Sequence, residues 1–157
     1  MPHVALSGTY RIPGARERVY AALRDPAVLQ RCIEGCEQLT EVEPGVYDAQ
    51  LRLGLGAIRG RYSGHARVTD ERPPDGFTLA VEGKGAGGHV RGEAKLVLAS
   101  AAEEAEAEAE TEVACSATGD AGGTLAAVGS RLIQAAASRM MEKFFSTLAE
   151  EVRAKHA

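Results

Sequence analysis

The sequence contains no tryptophan, and its other aromatic residues are three phenylalanines and four tyrosines among 157 positions. One aromatic ring buries about 150–250 Å², so this composition excludes a core filled mainly by rings. The chain also lacks a run of roughly 20 apolar residues, the length that a helix needs to cross a bilayer. Its first residues lack the basic and apolar stretches of a signal peptide. We therefore expect a cytoplasmic protein, either free or peripheral at the inner face of the membrane.

An excess of positive charge is missing as well. The formal net charge is −4 and the isoelectric point is near 5.6. Proteins that bind nucleic acid need a basic face to contact phosphate groups. No nucleic-acid partner is therefore expected.

The chain has an odd number of cysteines, Cys32, Cys36 and Cys115. Without an export signal, reduced thiols are the expected state. Cys32 and Cys36 have the spacing of a metal-binding pair, but a structural zinc ion needs two further ligands, and Cys115 lies in a distant segment. We expect core or loop thiols and no metal site.

Groups for catalysis are also missing from the pattern. The histidines are scattered and none stands beside a candidate nucleophile, so no catalytic residue is predicted. The segment Gly83–Gly88 formally fits a dinucleotide-binding motif, which requires a helix to follow it. The residues after it alternate as in a strand, which favours a flexible loop.

What the sequence does have is alternation of apolar and polar residues. Residues 4–12 predict a first strand, and residues 15–24 and 26–31 predict two short helices that end where Pro26 and the following loop interrupt them. Further strands are predicted at residues 47–55, 58–69, 77–81 and 90–98.

Residues 103–112 are rich in alanine and glutamate, which favour helices. Their glutamates nevertheless recur at every second position, from Glu104 to Glu112. A period of two indicates a strand, which would continue to Ala117. Its acidic row is expected to lie opposite basic side chains of a neighbouring strand.

The last predicted element is an amphipathic helix over residues 122–155, about 45–50 Å long. The fold class is therefore α+β. We expect a curved antiparallel sheet of six to seven strands wrapped around this helix, with two short helices after the first strand and a single domain over residues 1–157.

Several motifs occur in this order and spacing along nearly the whole chain: Tyr10–Pro13, Arg16–Val19, Asp25–Pro26, Cys32–Glu37, Gly83–Gly88, Gly123–Leu125, Gly129–Ile133 and Phe144–Phe145. On these motifs the sequence resembles the helix-grip fold of START-like lipid carriers, birch-pollen allergens and polyketide cyclases. Within that group it looks most like the CoxG family of carbon monoxide dehydrogenase accessory proteins.

The resemblance implies a non-catalytic accessory protein of a molybdenum hydroxylase, associated with recruiting that enzyme to the membrane and with binding quinone. No covalent cofactor is implied. Two features depart from the pattern. Glu34 stands where we would expect proline, and the chain stops at Ala157, whereas many members continue into an apolar tail. Membrane association is therefore expected only if such a tail is missing from this chain.

A ligand cavity is the expected consequence of the small side chains. Alanines and Gly129 lie along the final helix, and Gly60, Gly64 and Gly92 lie on the strands beneath it. Since protein interiors pack at a density of about 0.74–0.76, such a surface either closes tightly or leaves an apolar void. The resemblance favours the void. The predicted lining is Leu53, Leu55, Tyr62, Phe77, Leu79, Val81, Leu125, Val128, Leu132 and Met140, and the predicted rim is Gly56, Gly85, His89 and Gly123.

Three functions are compatible with this sequence. A carrier would hold a quinone or another lipid in the cavity. A cyclase or aromatase would place polar groups there, and Tyr62 and His89 are the available candidates. A docking subunit would have a filled core and an exposed apolar patch.

Overall fold

The computed structural model describes residues 3–56, 58–85, 87–101 and 109–154. The described segments form one seven-stranded sheet, two short helices after the first strand and a long final helix. The elements are β1 (His3–Pro13), α1 (Arg16–Arg24), α2 (Pro26–Cys32), β2 (Cys36–Glu43), β3 (Val46–Leu55), β4 (Ile58–Arg72), β5 (Gly76–Gly85), β6 (Gly88–Ser100), β7 (Glu110–Gly123), a 3-10 turn (Ala126–Val128) and α3 (Ser130–Ala154).

Every pair of neighbouring strands in the sheet is antiparallel, in the order β1-β7-β6-β5-β4-β3-β2. Because consecutive strands alternate in direction, the β3–β4, β5–β6 and β7–α3 connections meet at one end of the sheet. Helices α1 and α2 lie towards the opposite end. The predicted α+β helix-grip architecture is confirmed.

The burial pattern explains the strand that the sequence did not predict. β2 is an edge strand that pairs only with β3, and most of its residues are exposed. A strand without a buried face has no apolar alternation, so its sequence carries no periodic signal. The other strands alternate as predicted; in β1, for example, Val4 and Ile12 are buried and Ala5 is exposed.

The predicted start of the final helix at residue 122 is wrong. Gly122 and Gly123 still pair with β6, and the helix begins at Ser130. The glycine-rich end of β7 resembles a helix-start loop, but its backbone is held in the sheet until Gly123, which has a φ of +63°. With 25 residues, α3 is about 37 Å long.

The predicted acidic strand is present from Glu110 onwards. Arg11 on β1 contacts Glu110 with an Nη1–Oε1 distance of 3.4 Å, so an opposite charge lies across from the acidic row at this position. The glutamates at 104, 106 and 108 lie outside the described residues.

The core consists of two clusters at different ends of the sheet. In the first, side chains of α1 and α2 pack with Phe77 and with Phe145, Leu148 and Val152 from the second half of α3. Tyr10 stacks on Phe145 there, with ring centroids 4.3 Å apart. The second cluster lies beneath the first half of α3 and contains Val4, Ile58, Ala121, Leu125 and Ile133.

Candidate functional site

An apolar cavity of about 480 Å³ lies between the first half of α3 and the inner face of the sheet. Strands β1, β3, β4, β5, β6 and β7 all contribute to its wall, and α3 forms the roof. The helix residues that line it are Ile133, Ala136, Ala137 and Met140. Their spacing of three and four places them on one face of the helix.

Small residues account for the empty space. Gly64 of β4 pairs with Gly83 of β5, so two adjacent strands present no side chain at this level. A Cβ atom added to Gly64 would lie 3.7 Å from Leu51 Cδ1, an ordinary contact distance, so there is room for a side chain. Val90 also belongs to the wall, yet it is 37% exposed because no side chain covers it.

Not every glycine in the wall marks free space. A Cβ atom added to Gly92 would lie 2.5 Å from the carbonyl oxygen of Thr118 on β7. At this position glycine is needed for the close approach of two backbones. Gly64 and Gly92 therefore have different roles, and only Gly64 can be replaced to fill the cavity.

The inward side chains of the wall are almost entirely aliphatic. Four polar residues also border the cavity, but they occupy exposed, outward positions of their strands; Arg91 Nη2, for example, lies 3.1 Å from Glu82 Oε1 on the outer face. Tyr62 occupies an inward position. The outward polar residues are Ser63, Glu82, Arg91 and Thr118.

The structure brings six of the ten predicted lining residues together around the cavity. They come from five separate elements of the chain: Leu53, Leu55, Tyr62, Val81, Leu125 and Met140.

The other four predicted lining residues lie elsewhere. Phe77 is buried in the filled core, where its ring meets that of Tyr20 edge-on at 5.5 Å, and Leu79 packs against the same cluster. Val128 is partly buried and packs against the second cluster without lining the cavity. Leu132 is 52% exposed, because the helix turns it about 100° away from Ile133.

Sequence reasoning missed several wall residues. Val4 and Leu6 lie on the inward face predicted for the first strand, but the sequence does not show that β1 closes the sheet beside β7. Leu51 and Val90 also alternate inward. The side-chain period identifies the face of a strand, whereas membership of the wall depends on which strands are neighbours.

The predicted rim is partly assembled. Gly56, Gly85 and Gly123 lie at the end of the sheet where the β3–β4, β5–β6 and β7–α3 connections meet. The Thr124 N–H donates to the Gly87 carbonyl at 3.2 Å and ties two of these connections together. His89 instead lies exposed beside Gly122, at an outward position of β6. The prediction that it belongs to the rim is wrong, because inward and outward positions alternate along that strand.

The cysteines behave as buried thiols. Cys32 and Cys115 are buried, and burial raises the pKa of Cys32 to about 12 and that of Cys115 to about 11. Both are therefore protonated at neutral pH. Within residues 3–56, 58–85, 87–101 and 109–154, no three His, Cys, Asp or Glu side chains converge in a way that could hold a metal ion.

None of the helices in the described part of the chain is long and apolar enough to span a membrane.

Solved structures share this fold. A conserved protein from Geobacillus kaustophilus is 30% identical, with 96% of each chain covered and a TM-score of 0.85. A START superfamily protein from Mycobacterium smegmatis is 9% identical, with 96% of this chain and 97% of that chain covered and a TM-score of 0.72. An aromatase/cyclase from Streptomyces sp. R1128 is 12% identical, with 99% and 96% covered and a TM-score of 0.67. The last two likenesses concern the fold alone.

Among curated proteins, no sequence matches this chain. The family model of CoxG, a component of carbon monoxide dehydrogenase, matches residues 8–153. That match covers nearly all of the sheet and α3, including the walls of the cavity apart from the start of β1. The chain belongs to the CoxG family of carbon monoxide dehydrogenase components.

Proposed function

We propose that this protein is a non-catalytic carrier that holds a hydrophobic molecule, such as a quinone or another lipid, in the cavity beneath α3. The observation that carries the proposal is the unfilled apolar space between α3 and the paired glycines Gly64 and Gly83. A protein that needed only a stable scaffold would gain from filling this space, because each missing contact in a core costs stability.

The driving force for binding would be burial of apolar surface. A ligand that buries about 300 Å² of apolar surface gains about 7 kcal/mol at 25 cal/mol per Å². Loss of ligand freedom consumes part of this gain, so binding in the micromolar range is a reasonable expectation. The wall is preformed, which limits the ordering cost on the protein side.

The proposed partner is a molybdenum hydroxylase of the carbon monoxide dehydrogenase type. Support for this partner comes from family membership, since the family is that of an accessory component. Recruitment of the enzyme to the membrane is part of the same proposal, for a form of the protein that carries an apolar tail.

The cyclase or aromatase alternative receives less support. General acid–base catalysis needs two groups that face the same substrate. Tyr62 lines the cavity, but His89 lies at an outward position of β6, so the two candidate groups do not face one ligand. The docking-subunit alternative expected a filled core, and the cavity argues against it.

Filling the cavity tests the carrier proposal. Gly64→Leu places a leucine side chain where a Cβ atom has only ordinary contacts. Ser63→Leu adds a similar side chain one residue earlier, on the exposed face, and is the matched control. Binding of the uncharged probe 1-aminoanthracene should weaken at least about tenfold in Gly64→Leu and stay within twofold of wild type in Ser63→Leu.

Native mass spectrometry of freshly purified protein provides the second measurement. A co-purified hydrophobic molecule in the wild type that is absent from Gly64→Leu would support the carrier. If a folded Gly64→Leu protein binds the probe as the wild type does, the cavity is not the binding site.

A further inference from the structure

The cavity wall has one polar side chain at an inward position, that of Tyr62. Tyr62 belongs to β4, between Ile58 near the rim and Gly64 deeper in the cavity. Its hydroxyl makes no hydrogen bond to any residue that the structure describes, whereas Tyr10, Tyr20 and Tyr47 all donate hydrogen bonds through their hydroxyls. Tyr62 therefore differs from the other tyrosines in having a hydroxyl that is available to a ligand.

The position of the Tyr62 ring is built into the sheet. Gly85 of β5 lies beside it, and a Cβ atom added to Gly85 would lie 2.8 Å from Tyr62 Cδ2. A larger residue at position 85 would push the ring away from its place. Glycine at this position thus leaves the ring room in the wall near the mouth of the cavity.

Charged side chains are kept out of the same space. The charged residues that border the cavity, Glu82 and Arg91, pair with each other on the outer face of the sheet. An ionised ligand group inside the described part of the wall would therefore lose its hydration without gaining an opposite charge, which is very unfavourable. An uncharged group that accepts a hydrogen bond from Tyr62 would lose little.

We infer that the ligand is an apolar molecule with one uncharged carbonyl group, whose oxygen accepts a hydrogen bond from the Tyr62 hydroxyl. This inference rests on the proposed function and defines the chemical class of the ligand. It assigns Tyr62 as the residue that orients the carbonyl group towards β4, while the remainder of the molecule contacts aliphatic side chains. It excludes carboxylates of the same size and shape.

Three compounds with the same ring system test the inference: 2-acetylnaphthalene carries a ketone, 2-naphthoate carries a carboxylate, and 2-isopropylnaphthalene carries neither. Their affinities for wild type and for Tyr62→Phe are measured by naphthalene fluorescence at pH 8. Tyr62→Phe keeps the ring beside Gly85 and removes only the hydroxyl. Tyr47→Phe, which alters a tyrosine outside the cavity wall, is the matched control.

The expected result has two parts. Wild type binds the ketone at least about tenfold more tightly than the carboxylate, because the charged group is desolvated without a partner. Tyr62→Phe weakens ketone binding by about 3- to 10-fold, the effect of one neutral hydrogen bond, and leaves hydrocarbon binding within twofold. Tyr47→Phe changes none of the three affinities.

Equal ketone affinity in wild type and Tyr62→Phe would overturn the inference, and so would carboxylate binding as tight as ketone binding. In both cases the hydrocarbon still binds, and the carrier function stands. If none of the three compounds binds to wild type, the carrier function itself fails and the inference fails with it. The two failures are therefore distinguishable.

Discussion

Arg139 of α3 and Glu34, in the turn between α2 and β2, form a two-point ion pair with distances of 3.3 Å (Nε–Oε1) and 3.1 Å (Nη2–Oε2). The pair connects the middle of the helix to the side of the sheet opposite β1. The adjacent Gly35 has a φ of +79°, and its carbonyl accepts a hydrogen bond from the Arg52 N–H at 2.8 Å. Glutamate at the position where the family resemblance led us to expect proline thus fastens α3 beside the cavity.

The first prediction concerns the pH dependence of this ion pair. Hydrogen bonding to Arg139 lowers the pKa of Glu34 in the folded protein. A lowered folded-state pKa gives stability that is present above the unfolded-state value, about 4.3, and is lost as the pH falls through the folded-state pKa. Glu34→Gln should therefore lower the Tm at pH 7 and have no effect near pH 3.

The size of this effect should be small, because 67% of the Arg139 side chain is exposed and solvent screens such pairs. A decrease in Tm of about 1–2 °C or less is expected, and 1 M salt should remove it. Thermal unfolding followed by circular dichroism at both pH values checks this. A difference that persists at pH 3 would show that the glutamate acts through something other than its charge.

The second prediction compares the filled and unfilled ends of the molecule. Leu148 is fully buried in the filled core, so Leu148→Ala should lower the free energy of unfolding by about 2–5 kcal/mol. Leu53 faces the cavity and already lacks neighbours on one side, so Leu53→Ala should cost less, about 1–1.5 kcal/mol. Urea denaturation of both variants measures the difference, and equal costs would indicate that the cavity is closed in solution.

The comparison of sequence and structure has a physical explanation at these two ends. Alternation correctly placed Leu53, Tyr62, Phe77 and Leu79 on the inward face of the sheet. It did not show how far the filled core extends along each strand. That limit is set by α1 and α2, whose side chains, such as Val19, cover the end that contains Phe77. A local period cannot encode contacts between elements that are far apart in sequence.

The helix poses the same problem in another form. A start at residue 122 produces one continuous apolar stripe in which Leu132 faces the sheet. The real helix begins at Ser130, and the inward face in its first turns is defined by Ile133, Ala136 and Met140. Glycine-rich segments such as Gly119–Gly123 carry no side-chain period, so the end of β7 could not be located from the sequence.

The third prediction follows from this correction. Leu132→Asn should leave binding of 1-aminoanthracene within twofold of wild type, because Leu132 is 52% exposed and lies outside the wall. Ile133→Asn should weaken binding at least about tenfold, since it places an amide in an apolar wall. Circular dichroism establishes that both variants are folded. The reverse order of effects would mean that the first turn of α3 is rotated relative to the structure.

The fourth prediction concerns the thiols, which differ in burial. Cys32 and Cys115 are buried and have raised pKa values, whereas Cys36 is only partly buried. Burial also raises the pKa of Cys36, but a backbone hydrogen bond to Gln38 opposes this shift. Since the thiolate is the reactive species, iodoacetamide at pH 8 should modify Cys36 first in the native protein.

Mass spectrometry of the intact protein would show one added group well before the second and third, and three added groups at once in denaturant. The Cys36→Ser variant is the control and should resist modification while folded. Rapid labelling of Cys32 in that variant would mean that the α2 end opens readily. Because Cys32 belongs to the same cluster as Leu148, that result would also require the cost of Leu148→Ala to fall well below the range given above. The labelling rates and the unfolding energies thus constrain each other.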